Sequence, residues 1–318
     1  MSPDAECGVI KLVTDADLET VKACFAGLNG LACLFIAEVS SNHERDLTRA
    51  LAFVDRASEI GCGAVKFQLF RIDEMFAPEI LAKSAKHRAR REWELPVSFL
   101  ASIAERCAAR GVQFVCTPFY LGAVAELRPF VDAYKIASYE LMWDALLCAC
   151  AETAKPVILS TGMATMAEIT HAAGILRRHG ARDVTLLHTV SAYPTPAEEA
   201  NLAAIKTISE ATGFPCGWSD HTVSPGVILR AVAKWNAPMV EFHLDLDKTG
   251  AEYAGGHCWL PEEMAPVIAL VRAGERADGT GTKEPLPSEL SDRDWRADPV
   301  DGLRPLKHIR RDWRPEAA

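Results

Sequence analysis

From residue 33 onward, short runs of β-branched and apolar residues alternate with longer segments whose apolar positions recur at helical spacing. Strand-length runs separated by helical patterns of about ten to fifteen residues mark βα units and a parallel sheet. The pattern predicts strands over residues 34–39, 64–68, 113–117, 133–137, 156–160, 184–188, 215–219 and 239–243. It predicts helices over 46–60, 96–110, 122–127, 144–153, 165–179, 201–212, 225–234 and 261–273. Gly61, Gly111, Gly180 and Gly213 each follow a predicted helix, where a left-handed residue satisfies orphan carbonyls. Eight strands each followed by a helix, over about 240 residues, predict an α/β fold of the (β/α)8 TIM-barrel type rather than an open doubly wound sheet.

Three segments follow. Residues 1–30 form an N-terminal extension with one helix predicted over 15–25, expected to plug the barrel bottom. Residues 31–275 form the barrel. Residues 276–318, rich in Pro, Asp, Arg and Trp, are expected to be an irregular C-terminal tail packed on it. They are too few for a domain of ordinary size.

Composition narrows the function class. Of 318 residues, 49% are hydrophobic and 24% charged, which excludes disordered, collagenous and coiled-coil chains. With 34 Lys plus Arg against 43 Asp plus Glu, the formal charge of -9 has the wrong sign for a nucleic-acid binder held by phosphate contacts. An anionic ligand must therefore meet a local basic pocket. The absence of a long apolar run and of a signal-peptide pattern gives the expectation of a cytoplasmic protein with no membrane partner. The 10 cysteines form no C-x-x-C pair and are expected to be small buried hydrophobes.

In such a barrel the chemistry lies at the C-terminal strand ends. There the sequence places Glu38, Lys66 with Gln68, Thr117, Lys135 with Ser138 and Glu140, Ser160, His188, Tyr193, Ser219 with His221, and Glu241 with His243. A strand lysine can simply snorkel or balance a carboxylate. Two of them, with hydroxyls on the same faces, make a cradle for phosphate or carboxylate. A lone barrel histidine is commonly a hydrogen-bonded core residue, but His221 and His243 come from adjacent strands and can converge on a divalent first-row metal. Asp220 is expected either to orient an imidazole or to cap the next helix. Glu38, Glu140 and Glu241 are acid/base candidates, with Glu241 expected to balance a lysine instead. Residues 193–196, YPTP, are either a rigid loop or a platform presenting Tyr193 to a sugar-like ligand.

FIAEV at 35–39 with NH at 42–43, AVKFQ at 64–68, TPF at 117–119, YKIAS at 134–138, ILSTGM at 158–163, LLH at 186–188, SAYPTP at 191–196 and SDHT at 219–222 stand in register across residues 33–273. In these motifs the chain resembles the sialic acid synthase (N-acetylneuraminate synthase) family. The resemblance implies a transferase that condenses phosphoenolpyruvate with an aldehyde sugar, usually an N-acylated amino sugar, to give a nonulosonic acid and phosphate. It implies that Lys66, Lys135 and Ser138 hold phosphoenolpyruvate, with Thr117, Ser160 and Ser219 at further phosphate and carboxylate contacts. It further implies a divalent metal on His221 and His243, Mn2+ first with Mg2+ or Co2+ as alternatives. Gln68 and Tyr193 match sugar contacts, and Glu38 and Glu140 match the acid/base region.

The match is uneven. The family usually carries a C-terminal antifreeze-like domain whose arginine reaches the partner subunit's sugar site, and this sequence has no room for it before Ala318. Arg304 or Arg310, a second copy in a homodimer, or a separate partner is then expected to supply that contact. After strand eight the family's G-P-D-H reads GGH at 255–257, without the sugar-binding aspartate. Glu44-Arg45 replaces N-G, and EFHL at 241–244 replaces E-K-H-F. The phosphoenolpyruvate half is expected to be intact and the acceptor half altered. Two rivals stay open: a Schiff-base aldolase using Lys135, and a non-catalytic barrel that binds a sugar or anion.

Overall fold

The computed structural model describes residues 33–314. Eight parallel strands, β1 (Leu34–Glu38), β2 (Ala64–Leu69), β3 (Gln113–Pro118), β4 (Ala133–Ile136), β5 (Val157–Ser160), β6 (Val184–His188), β7 (Cys216–Asp220) and β8 (Met239–His243), close into a barrel in sequence order. Pairing of Leu34 with Met239 and of Glu38 with His243 closes the ring. The outer helices are α1 (Leu47–Glu59), α2 (Leu100–Arg110), α3 (Leu121–Leu127), α4 (Asp144–Ala151), α5 (Met166–Arg178), α6 (Ala204–Thr212), α7 (Pro225–Trp235) and α8 (Pro261–Ala277). The TIM-barrel expectation holds.

Strand periodicity divides the side chains into two sets. Phe35, Ala37, Val65, Phe67, Phe114 and Cys116 point outward and pack with the helices in the larger core. Leu34, Ile36, Ala64, Val115, Ala133, Ile158, Leu187 and Met239 fill the barrel interior. Each large aliphatic side chain so buried stabilises the fold by about 1.5–3 kcal/mol. Two residues further along β1, β2, β3, β4, β5 and β8, the inward positions become Glu38, Lys66, Thr117, Lys135, Ser160 and Glu241, and β7 adds Ser219. The apolar plug is thus the floor beneath a charged layer.

Side-chain caps fix the starts of two of the outer helices. Asp46 accepts from the amides of Thr48 and Arg49 at the head of α1, and Thr165 with Glu168 forms a capping box on α5. Gly111 and Gly213 end α2 and α6 in left-handed conformation, as the sequence predicts. Asn236 does the same for α7, a stop that the glycine pattern does not show. Helices predicted from 96 and 201 begin later, at Leu100 and Ala204, and the last continues past residue 273 to Ala277 despite Pro266.

Between β2 and α2 the chain forms an insert that the periodicity does not reveal. It consists of short helices Ile72–Met75, Pro78–Lys83 and Ala85–Ala89 and a 3-10 turn, Arg90–Trp93. Residues from Arg276 onward form a second compact unit. It is not irregular throughout, because it contains helices Leu290–Arg293 and Lys307–Asp312, with Arg310 paired to Asp301. The helix predicted over 15–25 lies outside the described residues. Among the described residues no helix is long and apolar enough to cross a membrane. The eight described cysteines are free, and all but Cys148 are buried, in keeping with their predicted role as small hydrophobes.

Candidate active site

Register delivers the charged layer. Glu38 stands beside both Lys66 and His243, and Ser219 beside Glu241. Lys66 Nζ lies 3.0 Å from Glu38 Oε2 and 3.3 Å from Glu241 Oε1. Lys135 Nζ lies 3.7 Å from the same Glu241 oxygen and donates to Ser160 Oγ at 2.6 Å. Glu241 therefore balances both lysines, as expected, and Ser219 donates to it at 3.3 Å. Gln68 donates to Glu38.

All four ions are buried, so their proton affinities are set by a contest between desolvation and partners. Burial raises Glu38 even with Lys66 alongside. Burial would also raise Glu241, but Lys135 and Lys66 win and hold it low. Lys66, desolvated yet touching two carboxylates, is raised. Lys135, desolvated and sharing one carboxylate with a second lysine, falls to about 8. Glu140 has a buried carboxyl oxygen, Oε2, without a hydrogen-bond partner, and burial raises it to about 7.

A cavity of about 680 Å³ opens over this layer. Among the residues singled out in the sequence, Glu38, Lys66, Gln68, Lys135, Ser138, Glu140, Ser160, Tyr193, Ser219, His221 and His243 line it. Thr117 does not. It is buried two residues beyond the inward-facing Val115 on β3, with Oγ1 lacking a hydrogen-bond partner. His188 is turned to the Ala200 carbonyl at 3.0 Å and serves the scaffold. The Gly162 amide donates to Ser138 Oγ at 3.0 Å, and a Cβ there would stand 2.3 Å from Ser191 Oγ. Only glycine permits that approach.

On the β7–β8 side three imidazoles converge: ring centroids are 5.4 Å apart for His221 and His243, 4.7 Å for His243 and His257, and 6.4 Å for His221 and His257. His221 Nδ1 bonds the Val190 carbonyl at 2.8 Å, and His243 Nδ1 bonds Glu252 Oε2 at 3.1 Å. With Nδ1 so engaged, Nε2 of each ring is left for the cavity. His257 Nε2 lies 3.7 Å from Glu252 Oε2, while its Nδ1 is buried with no hydrogen-bond partner. Tyr193 lies against the cluster, 4.2 Å from the His221 centroid. Burial, reinforced by His243, lowers His221 to about 3, and contact with Glu252 overrides burial to raise His243.

Among the described residues, ligand atoms of His243, Glu252, His257 and Cys258 lie within 4.8 Å of one another. Ring nitrogens whose partner nitrogen is already hydrogen-bonded, and a buried His257 Nδ1 with no partner, are the donor type a divalent first-row cation takes. The residues fit a metal. Glu252 and His257 are additions to the predicted pair. His257 stood out in the sequence only as a departure from a motif, and Glu252 gave no local signal. Their placement depends on Asn42, which accepts from the Glu252 amide at 2.8 Å and donates to the Leu244 carbonyl at 3.0 Å. Ser40 also donates to Glu252, at 2.6 Å. Gly250 lets this loop pass, since a Cβ would stand 2.3 Å from Asp245 Oδ1.

Asp220 takes neither predicted role. It accepts from the Trp218 and Trp259 indoles, both at 3.0 Å, and from Thr222 at 2.7 Å. With the Val223 amide at 3.1 Å these make four donors that saturate its two oxygens, and α7 begins only at Pro225 behind Ser224.

Comparison with known proteins places these observations. The model of the NeuB family matches residues 53–283. The chain is 37% identical over 264 residues to an uncharacterised protein of Methanocaldococcus jannaschii, covering 82% of this chain and 76% of that one. It is 32% identical over 269 residues to the N,N'-diacetyllegionaminic acid synthase of Campylobacter jejuni, covering 80% of each. Among solved structures, the N-acetylneuraminic acid (sialic acid) synthetase from Leptospira borgpetersenii matches with a TM-score of 0.72 at 31% identity, over 82% of this chain and 90% of that one.

Proposed function

Because the chain belongs to the NeuB family, we propose that it condenses phosphoenolpyruvate with an open-chain aldehyde sugar, releasing phosphate and a nonulosonic-acid-type product. The observation that carries this reading is one cavity with a two-lysine, two-hydroxyl cradle on its β2, β4 and β5 side and a three-imidazole cluster on its β7–β8 side. An anionic donor and a carbonyl acceptor need those two environments within reach of each other. In this reading residues 31–275 are the catalytic unit, and the reaction belongs in the cytoplasm.

Lys66, Lys135, Ser138 and Ser160 bind the phosphate and carboxylate of phosphoenolpyruvate, with Ser219 beside them. Their charges and dipoles are in place before substrate arrives, which is what makes them effective. His221, His243 and His257 hold a divalent metal, with Mn2+ first and Mg2+ or Co2+ as alternatives, and Glu252 orients two of the three rings. The metal supplies Lewis acidity to the acceptor's carbonyl oxygen when bound. Tyr193 and Gln68 position the sugar over phosphoenolpyruvate C3, which forms the new bond to the aldehyde carbon.

Water adds at C2, and the C2–O bond breaks to release phosphate. Glu140 takes the water's proton. Its carboxyl changes charge near neutral pH, as a general base requires, whereas Glu38 is engaged by Lys66 and Gln68. Glu38 instead holds Lys66 and Gln68 in position.

A second reading has one observation in its favour. Lys135, with its amine lowered to about 8 by burial, has the reactivity of a Schiff-base nucleophile. Two assays separate the readings: phosphate release from phosphoenolpyruvate with Mn2+ and a panel of N-acylated aldehyde sugars, and borohydride trapping with each acceptor. Acceptor-dependent phosphate release without a trapped lysine adduct supports the synthase. A reduced adduct on Lys135 without phosphate release supports the aldolase.

A further inference from the structure

The insert between β2 and α2 builds a second lobe onto the cavity, and that lobe is unlike the barrel end. Its walls are Phe70, Ile72, Met75, Phe76, Trp93 and Phe119. One charged group stands among them, Arg90.

Arg90 belongs to a basic run in which its neighbours have structural partners. Arg88 donates to the Leu81 and Ala82 carbonyls. Arg91 pairs with Asp73, and its own carbonyl accepts from Arg45 at 2.8 Å. Glu94, just beyond, accepts from the Ile72 amide at 2.8 Å. The insert is therefore fixed on both sides of Arg90. The Arg90 guanidinium lies 5.3 Å from the Trp93 ring and 5.8 Å from Phe76. It forms no ion pair among the described residues, whereas the cavity's two lysines both meet Glu241.

A guanidinium held by aromatic faces, with its donors free and apolar walls around it, is arranged to receive a planar or tetrahedral oxyanion. The low local dielectric strengthens that bond. The lobe stands over β2 and β3, across the barrel from the imidazoles on β7 and β8.

We propose that Arg90 reads an anionic group, phosphate or carboxylate, on the acceptor sugar at the end remote from its aldehyde. The apolar walls then lie along the acceptor's carbon skeleton and acyl groups. This rests on the synthase reading above and specifies the acceptor class that the reading leaves open.

The test compares N-acetylmannosamine, its 6-phosphate and its C6-carboxylate counterpart as acceptors, with wild type, R90A and R90K. The Arg90 side chain makes no hydrogen bond or ion pair among the described residues, so both variants should fold, which circular dichroism checks. Wild type should favour an anionic acceptor by about tenfold or more in kcat/KM, the scale of one charge-assisted bond. R90A should bring the ratio near one through the acceptor's KM, with R90K intermediate. The arm with the larger preference tells phosphate from carboxylate. An uncharged acceptor used equally well, a preference that survives R90A, or a loss falling on KM for phosphoenolpyruvate would overturn the assignment.

If no acceptor is turned over, calorimetry with N-acetylmannosaminitol 6-phosphate, which lacks the aldehyde, decides. Binding to wild type that R90A abolishes upholds the subsite while the synthase reading fails. No binding, or equal binding, removes the subsite too.

Discussion

Glu252 Oε2 lies 3.1 Å from His243 Nδ1, joining a loop residue to the last residue of β8. Burial would protonate Glu252, but bonds from His243, His257 and Ser40 hold it well below the usual carboxylate range. A carboxylate kept charged against an imidazole fixes the ring's tautomer and presents the other nitrogen to the cavity.

The metal assignment predicts graded losses. H221A and H243A should remove tight Mn2+ binding and with it metal-dependent turnover. E252Q should weaken binding by about 10–100-fold, the usual effect of losing a ligand's orienting partner. H257A should cost at least as much. Mn2+ titration followed by electron paramagnetic resonance reads each affinity without any turnover. Wild-type affinity in H257A would leave His257 as a bystander.

Glu241 is the common partner of Lys66 and Lys135, and both of its neighbours are buried. Removing one partner of a buried ion cluster costs about 3–5 kcal/mol, so E241Q should lower Tm by roughly 4–8 °C. Lys66 keeps Glu38, so Lys135 is the ion stranded. The double variant K135M/E241Q should recover part of the loss, and thermal unfolding of all three proteins gives the coupling. Additive losses would mean that Glu241 and Lys135 act independently.

Barrel and cradle could be read from the sequence because they follow from local pattern. Lys66, Lys135 and Glu241 stand in apolar strand runs at inward positions, and closure of the barrel brings them together. The insert could not be read in this way. Its helices, such as Pro78–Lys83, are too short to establish a period, and its aromatic residues look like ordinary core until Phe70, Phe76 and Trp93 meet in space. Glu252 was illegible for another reason. It owes its place to Asn42, 210 residues away, and to a loop path that Gly250 makes possible.

Glu140 predicts a pH signature. Its carboxyl takes up a proton at about 7 in the folded chain against 4.5 ordinarily. Between those values the folded state holds more protons. Its contribution to stability is therefore full below about pH 4.5 and is lost as pH rises through about 7. E140Q keeps the neutral shape and removes the titration. Its Tm should match wild type near pH 5 and exceed it near pH 8, while turnover falls and the limb of the rate profile near pH 7 disappears. A Tm difference that does not change with pH would show that burial does not perturb this carboxyl.

The central claim is that phosphate leaves phosphoenolpyruvate by C–O cleavage after C–C bond formation with an aldehyde sugar. The most direct test uses phosphoenolpyruvate carrying 18O at the bridging oxygen, with Mn2+ and a reactive acceptor, and reads phosphate and sugar product by mass spectrometry. The account predicts acceptor-dependent phosphate that keeps the label, and a product heavier than the acceptor by a three-carbon keto-acid unit with no label. Unlabelled phosphate, or release that does not depend on acceptor, would contradict it.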